Sequence, residues 1–201
     1  MCVNFSSRLL ALTLLTLLAA CADQPPAKPV TPLTLDYTRL GPIKLAVSKL
    51  DFINHSPLVP SADAAPVNFK PQLADAAYRW GLDRLQPVTA EGTAIYNISN
   101  ATLTRTKLLQ SGGINSWFTR QPAEKWVAVV TVKLQVANAT GGFNGHAEAT
   151  VTRSTTLPEG ATLSEQENAY RRVLLGLMDD LNSSMTAAIQ QHLGPVLVTT
   201  P

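Results

Sequence analysis

The residues predict an α+β fold, with an antiparallel four-stranded sheet packed against two helices in the order strand, helix, three strands, helix. Two observations carry the prediction. Trp126, Ala128, Val130, Val132, Leu134 and Val136 alternate without a break, which is the period of a strand with one buried face. Tyr170, Leu174, Leu177, Leu181, Met185, Ala188 and His192 recur at threes and fours, which is the period of a helix with one buried stripe.

The remaining elements follow from local chemistry. In residues 43–53, Ile43, Leu45 and Val47 alternate with Lys44, Ala46 and Ser48 and predict one first strand. Pro57, Pro60 and Pro66 mark a loop. Pro71 stands at a first helical position ahead of Leu73, Ala76, Ala77, Trp80 and Leu85, and Pro87 closes that helix. Asp75 and Arg79 are four residues apart there, the spacing of a surface ion pair.

In residues 93–108 the apolar phase changes between Ala94, Tyr96, Ile98 and Ala101, Leu103, which a bulge near 97–100 reconciles. Gly141 and Gly142 predict a hairpin turn. After it, Ala147, Ala149 and Val151 point in while His146, Glu148, Thr150 and Thr152 point out. Thr162 with Glu165, or Ser164 with Glu167, offers a capping box for the last helix, and Gly194 with Pro195 ends it. Its wet side carries Arg171, Arg172, Asp179, Asp180, Asn182, Gln190 and Gln191.

Ahead of this domain, Arg8 precedes an apolar run from Leu9 to Leu18, followed by Ala19 and Ala20. The run is about half of the roughly 20 residues a membrane-spanning helix needs, so it reads as a secretory signal. Leu18-Ala19-Ala20-Cys21 resembles, at all four positions, the lipobox of bacterial lipoproteins. The resemblance implies cleavage between Ala20 and Cys21, a diacylglycerol on the Cys21 sulfur and a further acyl chain on its amine. Several acyl chains give stable anchoring where one gives marginal binding. By the sorting rule of enteric bacteria, Ala22 after the cysteine implies the outer membrane, and Asp23 is one place too late to imply retention at the inner membrane.

The expected organisation is thus a signal peptide over 1–20, a lipidated Cys21 with a proline-rich tether over 21–42, a periplasmic domain over 43–194 and a tail over 195–201. Pro25, Pro26, Pro29, Pro32 and Pro42 make the tether semi-extended. The order of elements is similar to that of small envelope lipoproteins, among them the lipopolysaccharide-assembly lipoprotein and the auxiliary lipoproteins of lipid-trafficking ABC systems. Arg79-Trp80 near a helix end resembles the auxiliary group; the Cys-Gly-Phe opening of the assembly lipoprotein is replaced by Cys21-Ala22-Asp23. Element order does not transfer function.

Composition excludes more than it assigns. Cations exceed anions by a formal charge of +2, too little for a nucleic-acid footprint. Cys2 and Cys21 both stand at the N-terminal end, so the folding segment holds no thiol for a disulfide, a metal or a nucleophile. G-x-S-x-G, H-E-x-x-H, Walker and G-x-G-x-x-G patterns are missing, and His55, His146 and His192 fall on a loop, a wet strand face and a helix end. Asp179 and Asp180 diverge by about 100° on a helix and read as a solvated face. No cofactor, no metal and no enzymatic activity are expected, although a hydrolytic site whose residues meet only in space would escape this reading.

One segment invites a docking role. The connection 110–123 holds Ser111-Gly112-Gly113, then Trp117, Phe118 and Arg120, with Arg105 and Lys107 beside it. It is too long for a tight hairpin, and aromatic and Arg side chains are enriched where proteins meet partners or lipid headgroups. The same aromatics could instead plug the open end of the core. The leading expectation is a non-enzymatic lipoprotein that binds or steadies an envelope protein, in lipid or lipopolysaccharide transport. The alternative is a lipid- or small-molecule-binding lipoprotein, which needs a cavity lined by Trp80, Tyr96, Trp126 and Leu177.

Overall fold

Alternating apolar residues produce the expected long strands, but they assemble into a mixed sheet. The computed structural model describes residues 33–60, 62–65, 69–109 and 121–198. Its elements are β1 (Ile43–Leu45), β2 (Lys49–Asn54), α1 (Leu73–Arg84), β3 (Leu85–Pro87), β4 (Thr93–Lys107), β5 (Pro122–Ala139), β6 (Phe143–Pro158) and α2 (Leu163–His192). The main sheet runs β2-β4-β5-β6, and β1 pairs with β3 in a separate two-stranded sheet.

Four expectations about the first half are corrected. The sheet is not wholly antiparallel, because β2 and β4 pair in parallel. A strand that leaves through a helix and returns beside itself comes back in its original direction, and α1 is that crossover. The single first strand over 43–53 is two strands. Val47 donates its backbone N–H to the Leu45 carbonyl at 2.8 Å and Ser48 donates to Gly92, so the chain turns at 46–48 and feeds two sheets while Leu45, Ala46 and Val47 stay buried. Finally, Gln72 takes the cap position of α1, so Pro71 lies before the helix, and the helix stops at Arg84 with Leu85 already extended. Arg79 bonds forward to Asp83 at 3.1 Å instead of back to Asp75.

The second half follows the sequence closely. The register of β4 against β5 shifts between Ile98 and Asn100, leaving Ser99 as the extra residue that brings Ala101 and Leu103 onto the inner face. Along β5 every second residue from Trp126 to Val136 is buried, and β6 buries Ala147, Ala149 and Val151. Gly141 and Gly142 turn the hairpin with φ of 77° and 76°, a region a Cβ disfavours. Thr162 and Glu165 complete the capping box of α2: the Glu165 N–H donates to the Thr162 hydroxyl at 3.3 Å, and the Thr162 N–H donates to the Glu165 carboxylate at 2.7 Å. His192 is exposed, so the buried stripe ends at Ile189 and Leu193 instead.

Both helices cover the same face of the sheet. Trp80, Tyr96, Trp126 and Leu177 are at most 1% exposed, and the Trp80 and Tyr96 rings stand 5.8 Å apart. Their polar atoms are matched, since the Trp80 indole donates to Asn182 at 3.1 Å and the Tyr96 hydroxyl to the Ala77 carbonyl at 3.1 Å. Packing also reaches outside residues 43–194. Tyr37 is buried with its N–H on Asp83, while Val196 is buried and Val198 donates to Lys44. Arg84 is buried at the end of α1 with one guanidinium N–H on the Leu40 carbonyl at 2.8 Å; desolvation lowers its affinity for the proton.

Gly81 tests this packing. A helical glycine normally gains up to about 1 kcal/mol on becoming alanine. Here a Cβ would stand 2.8 Å from a Phe52 ring carbon and 3.0 Å from Tyr96, whose hydroxyl is already held. Gly81→Ala is therefore expected to lower stability by about 1–2 kcal/mol in urea unfolding; a gain would show that the rings yield freely.

Candidate functional site

The Ser99 bulge also shapes an apolar groove on the helix-covered face of the sheet. Past it, β4 continues beyond the end of β2, so Ala101 and Leu103 face inward beside β5 with no strand on their other side. The chain leaving β2 closes this gap by another route. Arg105 donates its N–H to Asp63 at 2.8 Å, Ala65 donates to Leu103 at 3.3 Å, and Ala64 bridges Thr104. Between that crossing, the first turn of α1 and Tyr170 of α2 lies a half-open groove of about 240 Å³.

The groove is apolar and firmly floored. Phe69 stacks on Tyr170 with ring centres 5.4 Å apart and lies 6.0 Å from Trp126. The Tyr170 hydroxyl donates to the Pro71 carbonyl at 2.6 Å, and burial, aided by the nearby Asp75 charge, holds that phenol protonated well above its ordinary range. Pro57, Leu58 and Val59 form one wall, and Leu58 is 97% exposed. Such a surface offers burial to an apolar group and little to a charged one.

The sequence expectations meet this region unevenly. Ala20 and Cys21, with the proposed cut between them, and Trp117, Phe118 and Arg120 lie outside the described residues. The flanks of the 110–123 connection are described: Leu108 donates to Ala123 at 2.8 Å, Leu109 is fully exposed, and Arg105 stands 3.8 Å from Glu124, which also accepts from the Trp126 indole. The cavity expected among Trp80, Tyr96, Trp126 and Leu177 is not present, because those four side chains fill the space themselves. Pro57, Leu58 and Val59 were not among the expected site residues, although two apolar residues between Pro57 and Pro60 in a loop were the available signal.

The acidic pair on α2 is also corrected. Asp179 is exposed, but Asp180 accepts two bonds from Arg153 of β6 at 2.5 and 2.7 Å, and that guanidinium holds its carboxyl below the usual range. The pair ties the helix to the last strand, and Gly176 faces the guanidinium across the helix surface. Of the histidines, His55 shares a hydrogen bond with Asn97 at 3.1 Å, while His146 and His192 are exposed at separate places. Among the described residues no three His, Cys, Asp or Glu side chains gather in a metal-holding group, and no helix is long and apolar enough to cross a membrane.

No protein-family model and no curated protein matches the chain. Among solved structures it is similar to a minor lipoprotein from Acinetobacter baumannii, at 14% identity and a TM-score of 0.38, covering 78% of this chain and 99% of that one. It is also similar to the rare lipoprotein B from Shewanella oneidensis, at 12% identity and a TM-score of 0.39, covering 72% of this chain and 96% of that one. At such scores these likenesses assign neither fold nor function.

Two substitutions separate the groove's wall from its floor. Leu58→Ser should change stability by less than about 0.5 kcal/mol, because the side chain is already in water. Phe69→Ala should cost about 3 kcal/mol, the low end for a buried ring, since one side already borders the groove. Equal losses on thermal unfolding would mean that the wall is part of the core.

Proposed function

We propose that this chain is a lipid-anchored lipoprotein of the bacterial envelope that binds or steadies another envelope component and catalyses no reaction. The observation that carries the reading is Leu18-Ala19-Ala20-Cys21 at the end of a short apolar run, followed by a proline-rich stretch and then a packed unit that starts at Leu33. Acyl chains on Cys21 hold the domain at a membrane; Ala22 favours the periplasmic face of the outer membrane over the inner membrane. The partner class is an envelope protein, in lipid or lipopolysaccharide transport, with no role for nucleic acid.

Docking is assigned to the 110–123 connection. Trp117 and Phe118 supply apolar area, and Arg120 supplies a charge suited to an acidic partner or a phosphate headgroup. What supports this reading is the exposed Leu109 at the start of the connection, and the apolar groove walled by the exposed Leu58 offers a further accessible surface. The groove also favours a second reading, in which it takes the apolar part of a lipid or small molecule. In that case Leu103→Asp should abolish uptake of a fluorescent fatty acid by the full chain while Trp117→Ala leaves it intact.

The primary reading is tested on protein from its native host. The mature chain should begin at Cys21 and exceed the polypeptide mass by the mass of its acyl groups; an unmodified N-terminus at any other residue overturns the anchor. Trp117→Ala with Phe118→Ala should remove the crosslinked envelope partner with a stability change under about 0.5 kcal/mol. A loss of several kcal/mol would instead identify the two rings as a plug of the core.

A further inference from the structure

We infer that residues 33–41 form a strap that opens from the domain as a unit, because closing it shuts the Arg84 guanidinium away from water without a counter-charge. The strap joins the folded core to the chain ahead of Leu33. Its opening is a property of the domain and does not depend on the anchor.

The proline-rich pattern reads 33–41 as tether, but its side chains alternate as those of an extended segment on a surface do. Leu33 and Leu35 are half-buried against the core and Tyr37 is buried, while Thr34, Asp36 and Thr38 are exposed. Tyr37 is set between the two helices. Its N–H donates to Asp83 of α1 at 3.1 Å, and burial, with the charges of Asp179 on α2 and of Asp83, keeps its phenol protonated well above the ordinary range. The short turn Thr38–Leu40 beyond it is held largely by the strap itself. The Leu40 N–H donates to the Tyr37 carbonyl and the Gly41 N–H to the Thr38 carbonyl, both at 3.0 Å, and the Thr38 hydroxyl donates to Asp36 at 2.6 Å. A segment with its own hydrogen bonds and one fully buried side chain has little to tie it into the cooperative core.

Arg84 opposes closure. At the end of α1 it is 6% exposed, the one charged residue so deeply buried among the described residues. One guanidinium N–H reaches the Leu40 carbonyl at 2.8 Å, the Nε has no partner, and no carboxylate pairs with it. Asp83, its neighbour in sequence, is already engaged by Tyr37 and Arg79. The helix end supplies only partial negative charge, and a buried cation without a counter-ion costs far more than one hydrogen bond returns. Lifting the strap removes the Leu40 carbonyl and admits water, so that cost weighs on the closed state. Burial of Tyr37 works for closure and burial of Arg84 against it, which leaves the two states close in free energy.

Opening has a consequence that does rest on the anchor reading. It adds residues 33–41 to the chain between Cys21 and the domain, about 28 Å at roughly 3.1 Å per residue, so the domain reaches farther from the membrane.

Hydrogen exchange in the detergent-solubilised full chain reads the opening directly, whether or not Cys21 is acylated. The hydrogen-bonded amides of Tyr37, Leu40 and Gly41 should exchange together, at least a hundredfold faster than those of Trp126 to Val136, and at a rate that low urea leaves unchanged. Arg84→Met should slow their exchange at least tenfold, since Leu40 is 55% exposed and its carbonyl can meet water instead. Tyr37→Ala should speed it at least tenfold. Exchange of the strap only together with β5, through global unfolding, would overturn the proposal. Unchanged or faster exchange in Arg84→Met would overturn it as well, by making the guanidinium a clasp that holds the strap down.

Discussion

One extra residue in β4 decides how this domain closes. A strand of fifteen residues, Thr93–Lys107, must keep its apolar side chains against the helices, yet its sequence changes phase halfway. Without an insertion, Ala101 and Leu103 would face water, because a one-residue slip reverses every side chain beyond it. Ser99 absorbs the slip, and its hydroxyl donates to Thr131 across the bulge at 3.3 Å. The first half of the strand can then pair with β2, while the second half is free to meet the crossing at 63–65. The apolar groove is the space left where those two ways of covering β4 meet.

This explains which parts of the fold were legible in the residues. The phase change was visible directly, as was the turn at Gly141-Gly142 and the capping box at Thr162. Each is a local signal with a local consequence. The parallel pairing of β2 and β4 was present in the order strand, helix, strand, but alternation says which face a strand buries and nothing about which neighbour it takes or in which direction. The break of the first strand was hidden for a related reason. Leu45, Ala46 and Val47 are all buried, and a tight turn through consecutive buried residues looks like continuous strand to any reading by hydropathy.

Side-chain pairings were harder to read than elements. Asp75 and Asp83 are each four residues from Arg79, and sequence spacing cannot choose between them. Asp83 also receives the Tyr37 N–H, so a tertiary contact fixes that carboxylate where Arg79 can reach it. Asp180 looked like half of a solvated pair because its partner, Arg153, lies 27 residues away on another element. For the candidate site the limit was sharper. The aromatic residues chosen as a cavity lining were large and well spaced, but size is what lets Trp80, Tyr96 and Trp126 fill the interior so that no cavity forms.

A filled interior moves function to the surface, and the surface that stands out is the groove. It is concave and apolar, suited to a side chain or a hydrocarbon. It follows from the β4 bulge, because Ala101 and Leu103 are turned inward where β2 no longer runs beside them and the chain at 63–65 takes its place.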